Sequence, residues 1–227
     1  MKLYVFESCP YCTRVRIFIG LKGLKCDIEY ICAGEFPEEL TQQLSSLTVP
    51  ILELENQEGT FLQESLDIIK FLDASADPAI LKKYEATETI IKALATLAIP
   101  QNMLCYPRMP FLALPELGST MAQQYFSQSR SERLGISLRG ALAATEQYIP
   151  EVASALIAIE NSLHIEALLS GMRSVNMDDA YVFAELRNLT MVKELNLPRI
   201  FQEYISLMAK QTHIALFTPI DKHGVQH

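Results

Sequence analysis

Tryptophan is absent, and cations are in the minority: 19 Lys and Arg stand against 27 Asp and Glu in 227 residues, a formal net charge of -8. The Lys and Arg residues are scattered and mostly stand beside acids. No basic cluster exists to track a phosphate backbone, which argues against a nucleic-acid partner. Long apolar runs are missing too. The longest, residues 152–159, stops at Glu160, far short of the ~18 residues a membrane helix needs, so no membrane partner is expected. Only Lys2 precedes the first short apolar segment, which does not resemble a secretory signal and predicts a cytoplasmic protein. Cysteine is sparse and odd in number, five in all, which speaks against a secreted disulfide framework. The four histidines at 164, 213, 223 and 227 show no metal-ligand spacing, and no metal site is expected. What remains, 49% hydrophobic and 20% charged, is the composition of a globular chain long enough for one large domain or two smaller ones.

The first 75 residues differ from the rest. Residues 2–6 are short and β-rich. Residues 11–22 carry apolar side chains at helical spacing and end at Gly23, a stop signal. Cys26, Ile28, Tyr30 and Cys32 alternate with Asp27 and Glu29, a half-buried strand. Residues 37–47 read as a helix, 49–54 as a strand, 56–59 as a turn, 60–62 as a strand and 65–73 as a helix with Ser65 at its N-cap. The predicted order is βαβ-α-ββα. After a linker the strand signals cease, and residues 84–217 are helical nearly throughout. Breaks are expected at Pro100, Pro107, Pro110, Pro115, Pro150 and Pro198, giving five or six helices. The predicted division is an α/β domain over 1–75, a linker over 76–84, an all-helical domain over 85–218 and a frayed tail over 219–227.

The chemistry concentrates in Cys9-Pro10-Tyr11-Cys12. A strand, a Cys, a Pro and then a helix put Cys9 at a helix start, where unpaired N–H groups and the macrodipole favour an anion. A thiol so placed has its pKa lowered from ~8.5 into the range of about 3.5–7.5. Cys12 follows one turn later on the same face, within bridging reach. Arg14 and Arg16 are candidates for added positive potential. A structural zinc site wants a second short-spaced pair, and Cys26 and Cys32 are too far apart to form one. Spacing and context favour redox chemistry, with zinc or an inert coincidence as the alternatives. Cys26, Cys32 and Cys105 read as packing residues.

Two further stretches bear on the same site. Val49-Pro50 places a proline at a strand start, where a cis bond would free the Val49 backbone to pair with an extended peptide; a trans proline opening an edge strand is the alternative. Glu64-Ser65 sits at a helix start, which suits a carboxylate ligand as well as a plain cap.

These residues resemble the bacterial glutaredoxin 2 family. KLYVFESCPYC, TVPIL, ESLDIIKFLD and AELRNLTMVKELNLP carry the resemblance, which spans essentially the whole chain. It implies a thioredoxin-like N-terminal domain with a mixed four-stranded sheet packed on an all-α domain, the architecture of cytosolic glutathione transferases. It implies a glutathione-dependent thiol–disulfide oxidoreductase with Cys9 as nucleophile and Cys12 as resolving thiol. Glutathione would be co-substrate, with no covalently bound cofactor, and would be held by Pro10, Tyr11, Val49, Pro50, Glu64 and Ser65. Partners would be protein disulfides and glutathionylated proteins. A monomer is expected on separate grounds, because the helical domain would cover the small one and no long apolar stripe is left over. Asn176 and Asp179 match the helix-start box of transferase-like folds, a structural role. The stretch 100–117, crowded with prolines, is expected to shape the groove where substrate enters. A glutathione transferase with an active-site thiol is the rival function, and the paired cysteines argue against it.

Overall fold

The computed structural model describes residues 1–54, 60–75, 81 and 83–227. The turn expected at 56–59 and most of the linker lie outside the described residues. The N-terminal part runs β1 (Lys2–Val5), α1 (Pro10–Lys22), β2 (Asp27–Tyr30), α2 (Glu38–Gln43), β3 (Ile51–Glu53), β4 (Phe61–Leu62) and α3 (Ser65–Ala74). The four strands form one mixed sheet in the order β2-β1-β3-β4. β1 runs parallel to β2 and antiparallel to β3, with Leu3 opposite both Ile28 and Leu52.

The pleat sends alternate side chains to opposite faces. Leu3, Val5 and Leu52 join Val15, Phe18, Ile68 and Leu72 in the main core, where α1 and α3 cover the sheet. Tyr4, Ile31, Leu40 and Ile51 make a second, smaller cluster on the side of α2. α2 is shorter than the expected 37–47, because Leu44 turns extended and leaves the helix. The alternation expected over 26–32 also stops early. Cys26 and Ile28 pack on the main core, but Ile31 turns into the second cluster and Tyr30 is exposed.

Seven α-helices follow among the described residues: α4 (Glu88–Cys105), α5 (Thr120–Leu134), α6 (Leu138–Ala143), α7 (Thr145–Leu163), α8 (Ile165–Leu169), α9 (Met177–Leu189) and α10 (Arg199–Thr212). Two short 3-10 turns, Met109–Phe111 and Pro115–Leu117, occupy the proline-rich stretch between α4 and α5. Pro107, Pro110 and Pro115 thus interrupt the helix, and Pro198 caps α10. Pro100 and Pro150 do not break theirs: each lies inside a helix. An interior proline costs about 3 kcal/mol. Here α4 and α7 bury Ile90, Leu97, Leu104, Val152, Leu156 and Ile159 in the shared core, and at about 1.5–3 kcal/mol per large apolar side chain that burial outweighs it. Asn176 and Asp179 form the reciprocal box at the start of α9, and Arg173 reaches both Asp179 carboxylate oxygens, at 2.6 and 2.9 Å.

The C-terminal tail is not frayed. Ile220 is fully buried, bridging to Val192 and Gln226. Its carbonyl accepts from Arg108 Nε at 2.9 Å. Arg108 is itself wholly buried, and its guanidinium also reaches Leu104 O, Thr145 Oγ1 and Glu194. The interior end of that arginine needs a carbonyl, and the tail supplies it.

α1 packs on α3, α9 and α10, so the first helix ties the two halves together. Gly20 allows this approach, since a Cβ there would lie 2.1 Å from the Thr212 carbonyl oxygen. Helix propensity alone favours Gly20→Ala by about 1 kcal/mol. Overlap with a backbone carbonyl that cannot rotate away reverses the sign, and we expect a net loss of about 1–3 kcal/mol. Urea unfolding measures this; an unchanged midpoint would mean that α1 and α10 separate at no cost.

Candidate active site

Cys9 caps α1. Its backbone is extended, its sulfur accepts the Cys12 N–H at 3.5 Å, and Pro10 takes the first helical position, where no N–H is needed. Thr13 returns two hydrogen bonds to the Cys9 carbonyl, from N at 3.0 Å and Oγ1 at 3.1 Å. The helix start therefore fixes both the main chain and the thiol.

The two cysteines differ in setting. Donation from the Cys12 thiol lowers the Cys9 pKa; burial opposes it, and the backbone N–H groups of Cys12 and Tyr11 add to the lowering. Cys12 is fully buried in the main core. Burial pushes its thiol well above the ordinary value, and the Cys9 partner pushes the same way. One sulfur is set up to ionise and the other to keep its proton. Arg14 and Arg16 are not among the largest causes. Arg14 pairs with Glu185 at 3.1 Å and stacks over Tyr181 and Tyr11, and Arg16 pairs with Glu7 at 2.7 Å.

The loop before Cys9 is held by the helical domain. Glu116, buried in the second 3-10 turn, accepts from Glu7 N at 3.0 Å, Ser8 N at 2.9 Å and Ser8 Oγ at 2.6 Å. Asn188 Nδ2 donates to Ser8 O at 2.9 Å. Arg187 donates to Glu7 O at 2.7 Å and to the Glu7 carboxylate. Burial pushes the Glu7 carboxyl up, but Arg187 and Arg16 together hold it below its ordinary value.

A cavity of about 470 Å³ opens in front of Cys9. Pro10, Tyr11 and Val49 line it with Cys9, facing a wall from α4, α5 and α9. The Val49–Pro50 bond is cis. Tyr11 is exposed. Pro50 is buried and does not line the cavity. Glu64 and Ser65 also lie outside that lining. They stay connected to it, because Gln63 Nε2 donates to Ser46 O at 2.7 Å and so ties the start of α3 to the loop carrying Val49. Ser65 is not the N-cap expected of it. Glu64 is, with a left-handed φ of 66° and its carbonyl accepting from Asp67 and Ile68 N–H, each at 3.1 Å. Ser65 is the first helical residue.

Several wall residues escaped the sequence reading. Glu185 lines the cavity, bound by Arg14 and by Gln101 Nε2 at 2.7 Å, and burial raises its carboxyl. Cys105 lines it too, but burial drives its thiol upward and its sulfur donates to Asn188 O at 3.4 Å, so it remains a packing thiol. Asn188 and Arg187 lie within the AELRNL segment that carried the resemblance, yet spacing alone gave them no chemistry. No group of three or more His, Cys, Asp or Glu among the described residues could hold a metal ion, and no helix among them is long and apolar enough to cross a membrane.

The model of the glutaredoxin 2 C-terminal domain matches residues 89–220, and that of the glutathione S-transferase N-terminal domain matches residues 3–79. Glutaredoxin 2 of Escherichia coli K12 is 29% identical over 220 residues, covering 96% of this chain and 98% of that protein. The crystal structure of glutaredoxin 2 from Salmonella typhimurium in complex with glutathione superposes with a TM-score of 0.83 at 27% identity, covering 95% of each chain. A glutathione transferase from Phanerochaete chrysosporium shares the fold at a TM-score of 0.68 and 16% identity, over 92% of this chain and 96% of that one.

Two measurements test this geometry. Replacing Cys12 by Ala removes the thiol donor, so the pH midpoint of Cys9 alkylation should rise; an unmoved midpoint would leave the helix start as the sole cause. Glu116→Gln leaves at least one loop donor without its charged acceptor, at a cost of about 1–3 kcal/mol, and should speed amide exchange at Glu7 and Ser8. Exchange at the parent rate would show that the loop holds its shape alone.

Proposed function

Because the chain belongs to the glutaredoxin 2 family, we infer that it is a glutathione-dependent thiol–disulfide oxidoreductase, acting through Cys9 and Cys12 on protein disulfides and glutathione mixed disulfides. The observation that carries this reading is the asymmetry of the pair: a sulfur at a cavity-facing helix start that accepts the Cys12 N–H and has a lowered pKa, beside a buried Cys12 whose thiol is pushed well above its ordinary value.

The Cys9 thiolate attacks a disulfide sulfur, forming a mixed disulfide and releasing the other sulfur as thiolate. On a protein disulfide, Cys12 then attacks Cys9, gives up its proton and frees the reduced substrate, leaving Cys9–Cys12 oxidised. One glutathione opens that bond to give Cys9–S–SG, and a second regenerates the Cys9 thiol as glutathione disulfide departs. Once Cys9 is engaged as a disulfide its charge no longer raises the Cys12 pKa, which eases the resolving attack.

Glutathione is the co-substrate, and it is the ligand named for the Salmonella relative. Val49 pairs through its backbone with the cysteinyl unit; no hydrogen bond within the described residues occupies its N–H or C=O. Glu64 and Ser65 hold the γ-glutamyl end at the start of α3, and the left-handed Glu64 supports this, since such backbone collects at ligand sites. Pro10, Tyr11 and Pro50 shape the rest. The protein works as a cytoplasmic monomer, its catalytic domain over 1–75 joined through 76–84 to the helical domain over 85–218.

Cys9→Ser should abolish reduction of a small glutathione mixed disulfide, and Cys12→Ser should retain much of it, because that substrate needs one thiol only. Equal loss in both variants would contradict the assignment of roles. Conjugation of an aromatic chloride faster than reduction of the mixed disulfide would favour a transferase instead.

A further inference from the structure

The cavity in front of Cys9 extends onto α4 and α5, and the exchange mechanism makes no use of that wall. It carries Arg130 and Arg133, three residues apart and hence on one side of α5. The three buried arginines are each matched to an acid: Arg14 to Glu185, Arg108 to Glu194 and Arg187 to Glu7, whereas Arg130 is half-buried and Arg133 exposed. Among the described residues Arg130 and Arg133 have no carboxylate partner. Arg130 lies 5.2 Å from the ring centres of both Tyr106 and Phe126, and its Nε is shielded from solvent with no hydrogen-bond acceptor. A chain of net charge -8 that leaves two cations without acids in its active cavity is equipped for an anion brought by the ligand.

We propose that Arg130 and Arg133 form a subsite for the carboxylates of the departing half of an anionic cysteine-peptide disulfide, separate from the glutathione subsite at Val49, Glu64 and Ser65. This rests on the oxidoreductase reading and deepens it. With glutathione disulfide, the Cys9 thiolate bonds to the sulfur of one half, the S–S bond breaks, and its electron pair leaves on the other sulfur. That departing thiolate takes a proton from water. Cys12 then closes the Cys9–Cys12 disulfide and releases the first glutathione, so the dithiol is oxidised and the disulfide reduced to two thiols. Arg130 and Arg133 hold the carboxylates of the half that leaves, placing its sulfur in line with Cys9 and offsetting the charge that grows on it.

The test is the rate of oxidation of the reduced protein by two disulfides: glutathione disulfide, and the mixed disulfide of glutathione with 2-mercaptoethanol, whose leaving half is uncharged. In the double variant R130Q/R133Q the first rate should fall about tenfold, the scale of two charge-assisted contacts, while the second stays within about twofold. R130K/R133K should restore most of the discrimination, and added salt should slow the parent more than the glutamine variant on glutathione disulfide alone. Equal losses on both disulfides, or no loss on either, would overturn the subsite. A parent that reacts with neither overturns the oxidoreductase reading itself, a distinct outcome.

Discussion

Glu7 and Ser8 carry backbone groups that the β1–α1 connection does not satisfy by itself, and buried polar backbone must find partners. The helical domain provides them. Glu116 takes two N–H groups and a hydroxyl, while Asn188 and Arg187 take the carbonyls. The position of Cys9 follows from this. A loop held on both sides delivers the chain into α1 at one angle, and the cap geometry then aims the sulfur into the cavity. The second domain is therefore part of the site rather than a cover over it.

The charges serve the same end. Glu7 is shared between Arg187 and Arg16, and Glu185 between Arg14 and Gln101, so the arginines next to the thiol are occupied by acids. What lowers the Cys9 pKa is local: one thiol donor and the amides of the first turn. Cys9 and Cys12 belong to one helix and stand one turn apart, yet the first lies at its mouth and the second in the core. A helix entering a packed sheet at that point produces both environments at once.

The N-terminal fold was legible because its signals are local: alternation in the strands, Gly23 as a left-handed stop, Pro10 at the first helical position. The cis Val49–Pro50 bond and the box at Asn176 and Asp179 were within reach for the same reason. Errors came where distant packing overrode a local rule. Pro100 and Pro150 stay inside helices because α4 and α7 share a core, and the tail docks because Arg108, 112 residues earlier, needs the Ile220 carbonyl. Glu64 displaced Ser65 as cap through a backbone conformation that residue type does not disclose. In the site, Cys9 could be named from four residues, whereas Glu116 lay hidden among prolines that fit no periodic pattern.

The hydrogen bonds between α9 and the Glu7–Ser8 loop span 180 residues of chain. At a synthesis rate of about 5–20 residues per second, roughly 10–40 s pass between the emergence of that loop and of its clamps. During that interval the nascent chain already carries Cys9 and Cys12 but not the groups that fix their approach. Translation thus delivers the two thiols before the contacts that set their geometry.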